Sequence, residues 1–215
     1  MKVNYQNKLD SILLENSKAC IKPRLLLHAC CGPCSSYVLE YLCNHFDITV
    51  FYYNPNIHPS EEYERRLKEL KDLYLKFPPA VENQIKVIEC NYDPQEFYSA
   101  INIQKESELA KEKEKGERCR RCYKFRLEKA FEYAAANKFD YFCTTLSISP
   151  FKDAEKINIE GQLISEKGIN GPKWLPSDFK KKGGFKRSLE ISTEYNLYRQ
   201  QYCGCVYSMH NDFML

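Results

Sequence analysis

A chain of 215 residues with 43% hydrophobic and 13% aromatic content is long enough for a substantial core, and its formal charge of +3 is too small to imply a nucleic-acid partner by itself. No stretch approaches the ~20 apolar residues of a membrane span, and Met1-Lys2-Val3-Asn4-Tyr5-Gln6-Asn7 lacks the apolar run of a signal peptide, so a cytoplasmic protein is expected. In that reducing compartment eleven cysteines do not read as a disulfide scaffold, and their clustering points to metal or redox chemistry.

Leu9, Ile12, Leu13 and Leu14 give residues 5–19 an apolar helical face, an N-terminal helix within residues 1–20. Leu25-Leu26-Leu27-His28 reads as a buried strand that runs into Ala29-Cys30-Cys31-Gly32-Pro33-Cys34, followed by a helix over 35–45. Thiols therefore stand at the carboxyl end of a strand, facing a helix N-terminus. Open α/β sheets hold their chemistry there, and the helix dipole favours thiolate. A second strand over 48–53, rich in β-branched and aromatic residues, opens into Asn54-Pro55-Asn56-Ile57-His58-Pro59.

Residues 61–77 form a charged helix with Tyr63, Leu67, Leu70, Leu73 and Tyr74 on one face; a third strand at 85–90 and a helical segment opened by Pro94 follow. Residues 104–118 are dominated by charge and read as an exposed helix or linker. A long helix is predicted from Cys119 to Asn137, a fourth strand over 141–145 with its exit loop at 146–150, and a helix over 153–167. Residues 174–184 are turn-rich and basic, and a last helix over 185–195 leads to Tyr198-Arg199-Gln200-Gln201-Tyr202-Cys203-Gly204-Cys205. The alternation predicts one α/β domain: a three-layer parallel sheet, core within 24–165, with a cysteine-bearing cap over 170–215 closing across the strand exits.

Seven cysteines fall into three groups: Cys30, Cys31 and Cys34; Cys119 and Cys122; Cys203 and Cys205. Cys20, Cys43, Cys90 and Cys143 stand alone and read as core or incidental residues. Cys119-Arg120-Arg121-Cys122 at a helix start puts both sulfurs within reach of one zinc or of two irons of one cluster. Joined to Cys30 and Cys31 it supplies the four thiolates of an iron–sulfur cluster or, equally, of a structural zinc. Cys203-Gly204-Cys205 can close a strained disulfide or donate to a second metal. Cys31-Gly32-Pro33-Cys34 also matches the thioredoxin redox motif, so a thiol–disulfide oxidoreductase is the competing reading and a structural zinc protein the third. Thioredoxin chemistry, however, has no use for Cys30 or for the other two groups.

His28-Ala29-Cys30-Cys31-Gly32-Pro33-Cys34, Tyr53-Asn54-Pro55-Asn56-Ile57-His58-Pro59, Cys119-Arg120-Arg121-Cys122-Tyr123, Thr144-Thr145-Leu146 with Ser149-Pro150-Phe151-Lys152, and Tyr198 through Cys205 together resemble the QueH family over residues 24–208. These are cobalamin-independent epoxyqueuosine reductases. The resemblance implies a fold similar to the nucleotide-α-hydrolase, PP-loop/HUP-like family. It also implies reduction of epoxyqueuosine to queuosine at the wobble position of tRNA, a [4Fe-4S] cluster, and beside it a mononuclear metal (iron or zinc) or a redox-active cysteine pair. Electrons would come from an external ferredoxin- or flavodoxin-like donor, with no membrane involved. Some members carry an acidic residue where this chain has Cys34; carboxylate and thiolate both bind iron, which makes Cys34 a candidate ligand of the second metal. The related ATP-using enzymes have a Gly- and Ser-rich loop where this turn is cysteine, so no ATP use is expected.

The simplest assignment under this resemblance gives the cluster to Cys30, Cys31, Cys119 and Cys122. Cys34, Cys203 and Cys205 then form the catalytic centre beside it. They would act as ligands of a Lewis-acid metal at the epoxide oxygen or, for Cys203 and Cys205, as a disulfide storing the electron pair. Cys30 and Cys31 can also be split between the two centres, because neighbouring residues point in different directions. Tyr53, Asn54, His58, Ser149, Lys152, Tyr198 and Arg199 lie at strand exits or in the matched motifs and are the pocket candidates, His58 also as a proton donor. The basic loop Phe179 to Arg187 suits contact with tRNA phosphates, or is a solvated basic loop.

Overall fold

The computed structural model describes residues 3–209. Helix α1 (Tyr5–Lys18) precedes β1 (Arg24–His28), α2 (Gly32–Leu42), β2 (Asp47–Tyr52), α3 (Ser60–Tyr74), α4 (Pro78–Glu82), β3 (Lys86–Glu89) and α5 (Pro94–Ile101). Then come α6 (Glu117–Ala136), β4 (Tyr141–Thr144), α7 (Ala154–Lys167), β5 (Lys173–Trp174) and α8 (Gly184–Glu194). The strands form one parallel sheet in the order β3-β2-β1-β4-β5. The chain lays β2 and β3 outward from β1, then crosses back to place β4 on its other side. That reversal leaves a crevice beyond the carboxyl ends of β1 and β4, where open sheets of this kind bind ligands.

β1 is apolar on both faces because it is covered on both. Leu25 and Leu27 pack with Leu9 and Leu13 of α1, Val38, Leu39 and Leu42 of α2, and Leu70 and Leu73 of α3. Leu26 points the other way, into Leu127, Ala130 and Ala134 of α6, Ile157 and Ile164 of α7, and Trp174. The predicted α/β class and three-layer parallel arrangement are both present. Cys43 and Cys143 are buried core residues, Cys90 is half-buried and Cys20 exposed; all eleven cysteines are free thiols, Cys203 and Cys205 included. No helix among the described residues is long and apolar enough to cross a membrane.

Three differences from the sequence reading have physical causes. Helix α2 begins at Gly32, not Ser35, because proline suits the first turn of a helix, where its missing N–H is not needed. Cys31 thereby becomes the extended N-cap residue and Cys34 a member of the first turn. Strand β5 lies in a stretch read as turns, since two residues carry no alternation to detect. The charged run over 104–118 is not uniformly solvated: it holds a 3₁₀ turn at Ser107–Lys111 and the start of α6. There the Arg118 guanidinium is buried, donating to the Leu109 and Ala110 carbonyls and lying 5.0 Å from the Tyr207 ring.

After α8 the chain returns across the strand exits as a strap. The His58 N–H donates to the Gly204 carbonyl at 2.8 Å, and the Tyr202 hydroxyl donates to the His58 carbonyl at 2.5 Å. Buried Arg66 of α3, ion-paired with Glu62 at 2.7 Å, donates to the Cys203 and Tyr202 carbonyls at 3.2 and 3.4 Å. The cap residues 210–215 lie outside the described residues.

Candidate metal centre

The floor of the crevice is fixed by the His28 ring. Its Nδ1 lies 2.8 Å from Thr144 Oγ1 and its Nε2 lies 3.1 Å from the Tyr53 carbonyl, so one side chain ties together the ends of β1, β4 and β2. Burial, with the Arg126 charge nearby, lowers its pKa to about 4, and the ring is a neutral strut near pH 7. Asn54 adds a second tie, donating to the Ala29 carbonyl at 2.9 Å.

On that floor the sulfurs of Cys30, Cys31 and Cys34 all lie within 4.8 Å of one another. Thiols this close share charge: hydrogen bonds from Cys31 and Cys34 hold the Cys30 thiol well below its usual range, and the bonds to Cys30 push Cys31 up to about 12 and raise Cys34 as well. The Gln200 amide of the strap reaches the same group, 3.1 Å from Cys31 Sγ and 4.0 Å from Cys34 Sγ.

Cys119 and Cys122, on the first turns of α6, meet Cys203 and Cys205 of the strap. Cys122 and Cys205 pack together against Phe97 and Ile101. Burial, then the neighbouring Cys203 and Cys122 thiols, pushes Cys119 up to about 11. The same causes push Cys205 up to about 12. The sequence-level cluster set (Cys30, Cys31, Cys119 and Cys122) thus takes two sulfurs from each of two spatial groups.

Two buried cations join the groups into one compartment. Lys152 Nζ is 2.7 Å from Cys203 Sγ, and its charge also acts on Cys30. Arg126, 1% exposed, acts on Cys122, Cys203 and Cys30. Its Nη1 donates to Asn54 Oδ1 at 3.3 Å, while its Nε and Nη2 are buried without a hydrogen-bond partner. A buried cation without a carboxylate beside it is costly unless an anion occupies the space it faces. Cys30, Cys122 and Cys203, one thiol from each group, act on a guanidinium with unpartnered donors, which fits a negatively charged, thiolate-held metal group.

Above the sulfurs opens a cavity of about 540 Å³, lined by Cys30, Cys34 and Cys203 together with Ser149, Lys152 and Arg199. Four other pocket candidates are held outside its lining. The Tyr53 hydroxyl donates to Glu96, with its ring stacked on Phe51. Asn54 is committed to Ala29 and Arg126. The His58 side chain is exposed while its backbone grips the strap. Tyr198 bonds Glu62, with the Arg65 guanidinium 3.3 Å from its ring. In the basic loop, Lys180 pairs with Asp178, Lys182 with Asp10 and Arg187 with Glu40, at 2.6, 2.5 and 2.8 Å.

A sequence profile described as Epoxyqueuosine reductase QueH matches residues 25–211. The chain belongs to the QueH family. It is 41% identical over 207 residues to the epoxyqueuosine reductase QueH of Streptococcus pyogenes serotype M1, covering 96% of this chain and 78% of that protein. Over the same length it is 40% identical to the Staphylococcus aureus protein of that name, with 96% and 84% covered. With the Haemophilus influenzae protein it shares 39% over 189 residues, with 87% and 72% covered.

Sequence reasoning about this QueH-family chain missed Arg126, Arg66, Gln200 and Glu114. Arg126 had a signal: it follows Cys122 by one helical turn and therefore shares its face. Gln200 sits in a matched motif, but nothing local tells that its amide turns toward sulfur. Glu114, a cavity-lining residue, was hidden in the charged run.

Proposed function

We propose that this chain reduces epoxyqueuosine to queuosine in the wobble position of tRNA. The observation that carries the reading is the cavity into which Cys30, Cys34 and Cys203 open side by side, thiols from two distant segments facing one space large enough for part of a nucleoside. Family membership supports the substrate and the reaction. A tRNA substrate places the work in the cytoplasm.

Conversion of the epoxide to an alkene takes two electrons and two protons and releases water. When bound, a [4Fe-4S] cluster supplies electrons singly from an external ferredoxin- or flavodoxin-like donor. Cys30, Cys31, Cys119 and Cys122 would hold it, and Cys34, Cys203 and Cys205 would form the second centre, as ligands of a mononuclear metal or as a redox-active pair. The close approach of Cys30, Cys31 and Cys34 favours a second assignment, in which these three face one centre and the four thiols of α6 and the strap serve the other.

The rest of the cavity has work of its own. Lys152 and Arg126 balance thiolate charge from inside the protein. Phe151, Phe185 and Leu189 give the chamber an apolar wall that suits a base turned out of the anticodon loop, while Arg199 offers a cation at the same lining.

Anaerobic purification with iron, zinc and acid-labile sulfide counted per chain tests the cofactor. About four irons and four sulfides support a cluster; a fifth metal favours a mononuclear centre over a disulfide. Incubation with reduced flavodoxin and tRNA carrying epoxyqueuosine, read by nucleoside mass spectrometry, tests the reaction. Stoichiometric zinc without sulfide, or metal-free protein that reduces disulfides, overturns the reading.

A further inference from the structure

The reaction needs two protons at the epoxide oxygen, and none of the residues discussed so far donates well there. The Lys152 ammonium is committed to Cys203, its Nζ 2.7 Å from the sulfur. The Tyr202 hydroxyl is spent on the His58 carbonyl. Among the described residues the cavity lining contains one carboxyl group, that of Glu114, which shares the space with Cys30, Cys34 and Cys203.

Its setting is built rather than incidental. The chain is pinned on both sides: Glu112 Oε2 accepts the Arg118 N–H at 2.8 Å, and Lys115 Nζ donates to the Pro150 carbonyl at 3.1 Å. Between these anchors, Glu114 Oε1 is buried without a hydrogen-bond partner. The residue lines a cavity that contains reactive thiols while its Oε1 is buried with no polar partner on the protein side, a setting that favours the uncharged, proton-carrying carboxyl.

We propose that Glu114 is the general acid of this reaction, protonating the epoxide oxygen as its carbon–oxygen bonds break. The proposal rests on the epoxyqueuosine reading above. As one electron pair enters from the one-electron donor, the first C–O bond breaks and the oxygen takes the Glu114 proton to become a hydroxyl. Water reprotonates the carboxylate through the cavity. The second C–O bond then breaks, the alkene forms between the two ring carbons, and the departing oxygen takes a second proton and leaves as water. Two electrons and two protons are consumed, and one water is formed.

The electrostatics agree with that role. Burial raises the Glu114 pKa, opposed by three cations: Lys152 from the exit loop of β4, Arg118 from α6, and Lys115 from its own segment. Arg199 and Cys203 of the strap line the same cavity. The carboxyl therefore keeps its proton to higher pH than an exposed glutamate, toward the range in which general acids are effective.

The test uses the metal-loaded enzyme with tRNA carrying epoxyqueuosine. Glu114→Gln is expected to lower kcat about 10²–10⁴-fold, with KM, iron and sulfide content unchanged. The wild-type fall in kcat with rising pH should be lost in the variant. Glu114→Ala should regain turnover when formate is added. An infrared carboxyl band that persists to higher pH than that of an exposed glutamate in the wild type, and is absent from Glu114→Gln, gives a readout independent of turnover. Wild-type kcat with an intact alkaline limb in Glu114→Gln, or loss of iron from it, overturns the role alone. A wild type that turns over no epoxyqueuosine overturns the substrate reading beneath it.

Discussion

The ammonium of Lys152 lies 2.7 Å from the sulfur of Cys203, so a cation from the exit of β4 fixes a thiol of the C-terminal strap. The lysine is 8% exposed and both residues line the cavity. A hydrogen bond to a charged group contributes about 1.5–3 kcal/mol. Lys152→Met removes the donor and keeps most of the stem, so kcat/KM should fall roughly 10–100-fold. The melting temperature should hardly move, because replacing a buried charge by an apolar side chain also removes its desolvation cost. Parallel turnover and melting measurements check both halves; a large loss of stability with activity intact would contradict the assignment.

Arg126 should act on redox potential. It is a buried positive charge that faces thiols of all three cysteine groups. Taking it away makes addition of an electron to a thiolate-bound centre harder. Arg126→Gln is therefore expected to shift the reduction potential to more negative values in a titration followed by electron paramagnetic resonance. An unchanged potential with full metal content would place the guanidinium outside the field of the centre.

Gly204 sets the path between Cys203 and Cys205. Its φ is +124°, and an added Cβ would come within 3.0 Å of Arg66 Nη1 and 3.1 Å of Ile57 Cγ1. Gly204→Ala should cost about 1–3 kcal/mol through the backbone alone and should displace both flanking sulfurs. Iron content and denaturant midpoint are expected to fall together. A variant that keeps its iron would show that the strap tolerates a different course.

Cys143 gives a pH signature away from the centre. It is fully buried in β4, with its sulfur 3.3 Å from the Leu175 carbonyl, and burial pushes its thiol up to about 12. A raised thiol pKa contributes stability that is intact below the unfolded value of about 8.5 and is lost as pH climbs toward the folded value. Denaturant titrations of the metal-free protein should show less alkaline destabilisation between those limits for Cys143→Ala than for the wild type. Equal slopes would mean that the thiol titrates normally.

The sheet was legible because β1 carries an unbroken Leu25-Leu26-Leu27 run and β2 and β4 are rich in β-branched and aromatic residues, and the helices because Leu67, Leu70 and Leu73 or Tyr123, Leu127 and Ala134 recur at helical spacing. Cys30, Cys31 and Cys34 could be placed at a strand exit because strand, turn and helix follow within a few residues. The pairing of Cys122 with Cys205 and the reach of Gln200 toward Cys31 could not be read, since both depend on how the strap crosses the sheet. Lys152 was legible as a site residue but sorted toward substrate, whereas its ammonium sits on sulfur. Arg118 was invisible among like-charged neighbours because charge patterning does not reveal which guanidinium folds back onto carbonyls.

The bond from Gln200 to Cys31 closes a loop of 169 residues, and such closures form after local contacts because their entropic cost must first be met. The sheet and the β1 turn can therefore exist while the strap is undocked. In that state the three thiols of the turn face open water in a trough, and the Cys203-Gly204-Cys205 side of the chamber is missing. Amides over 198–205 in metal-free protein should accordingly exchange before those of β1. Under the proposed cofactor reading, loading then has a timetable: the group would enter an unroofed trough, and docking of the strap would turn a loading dock into a reaction vessel.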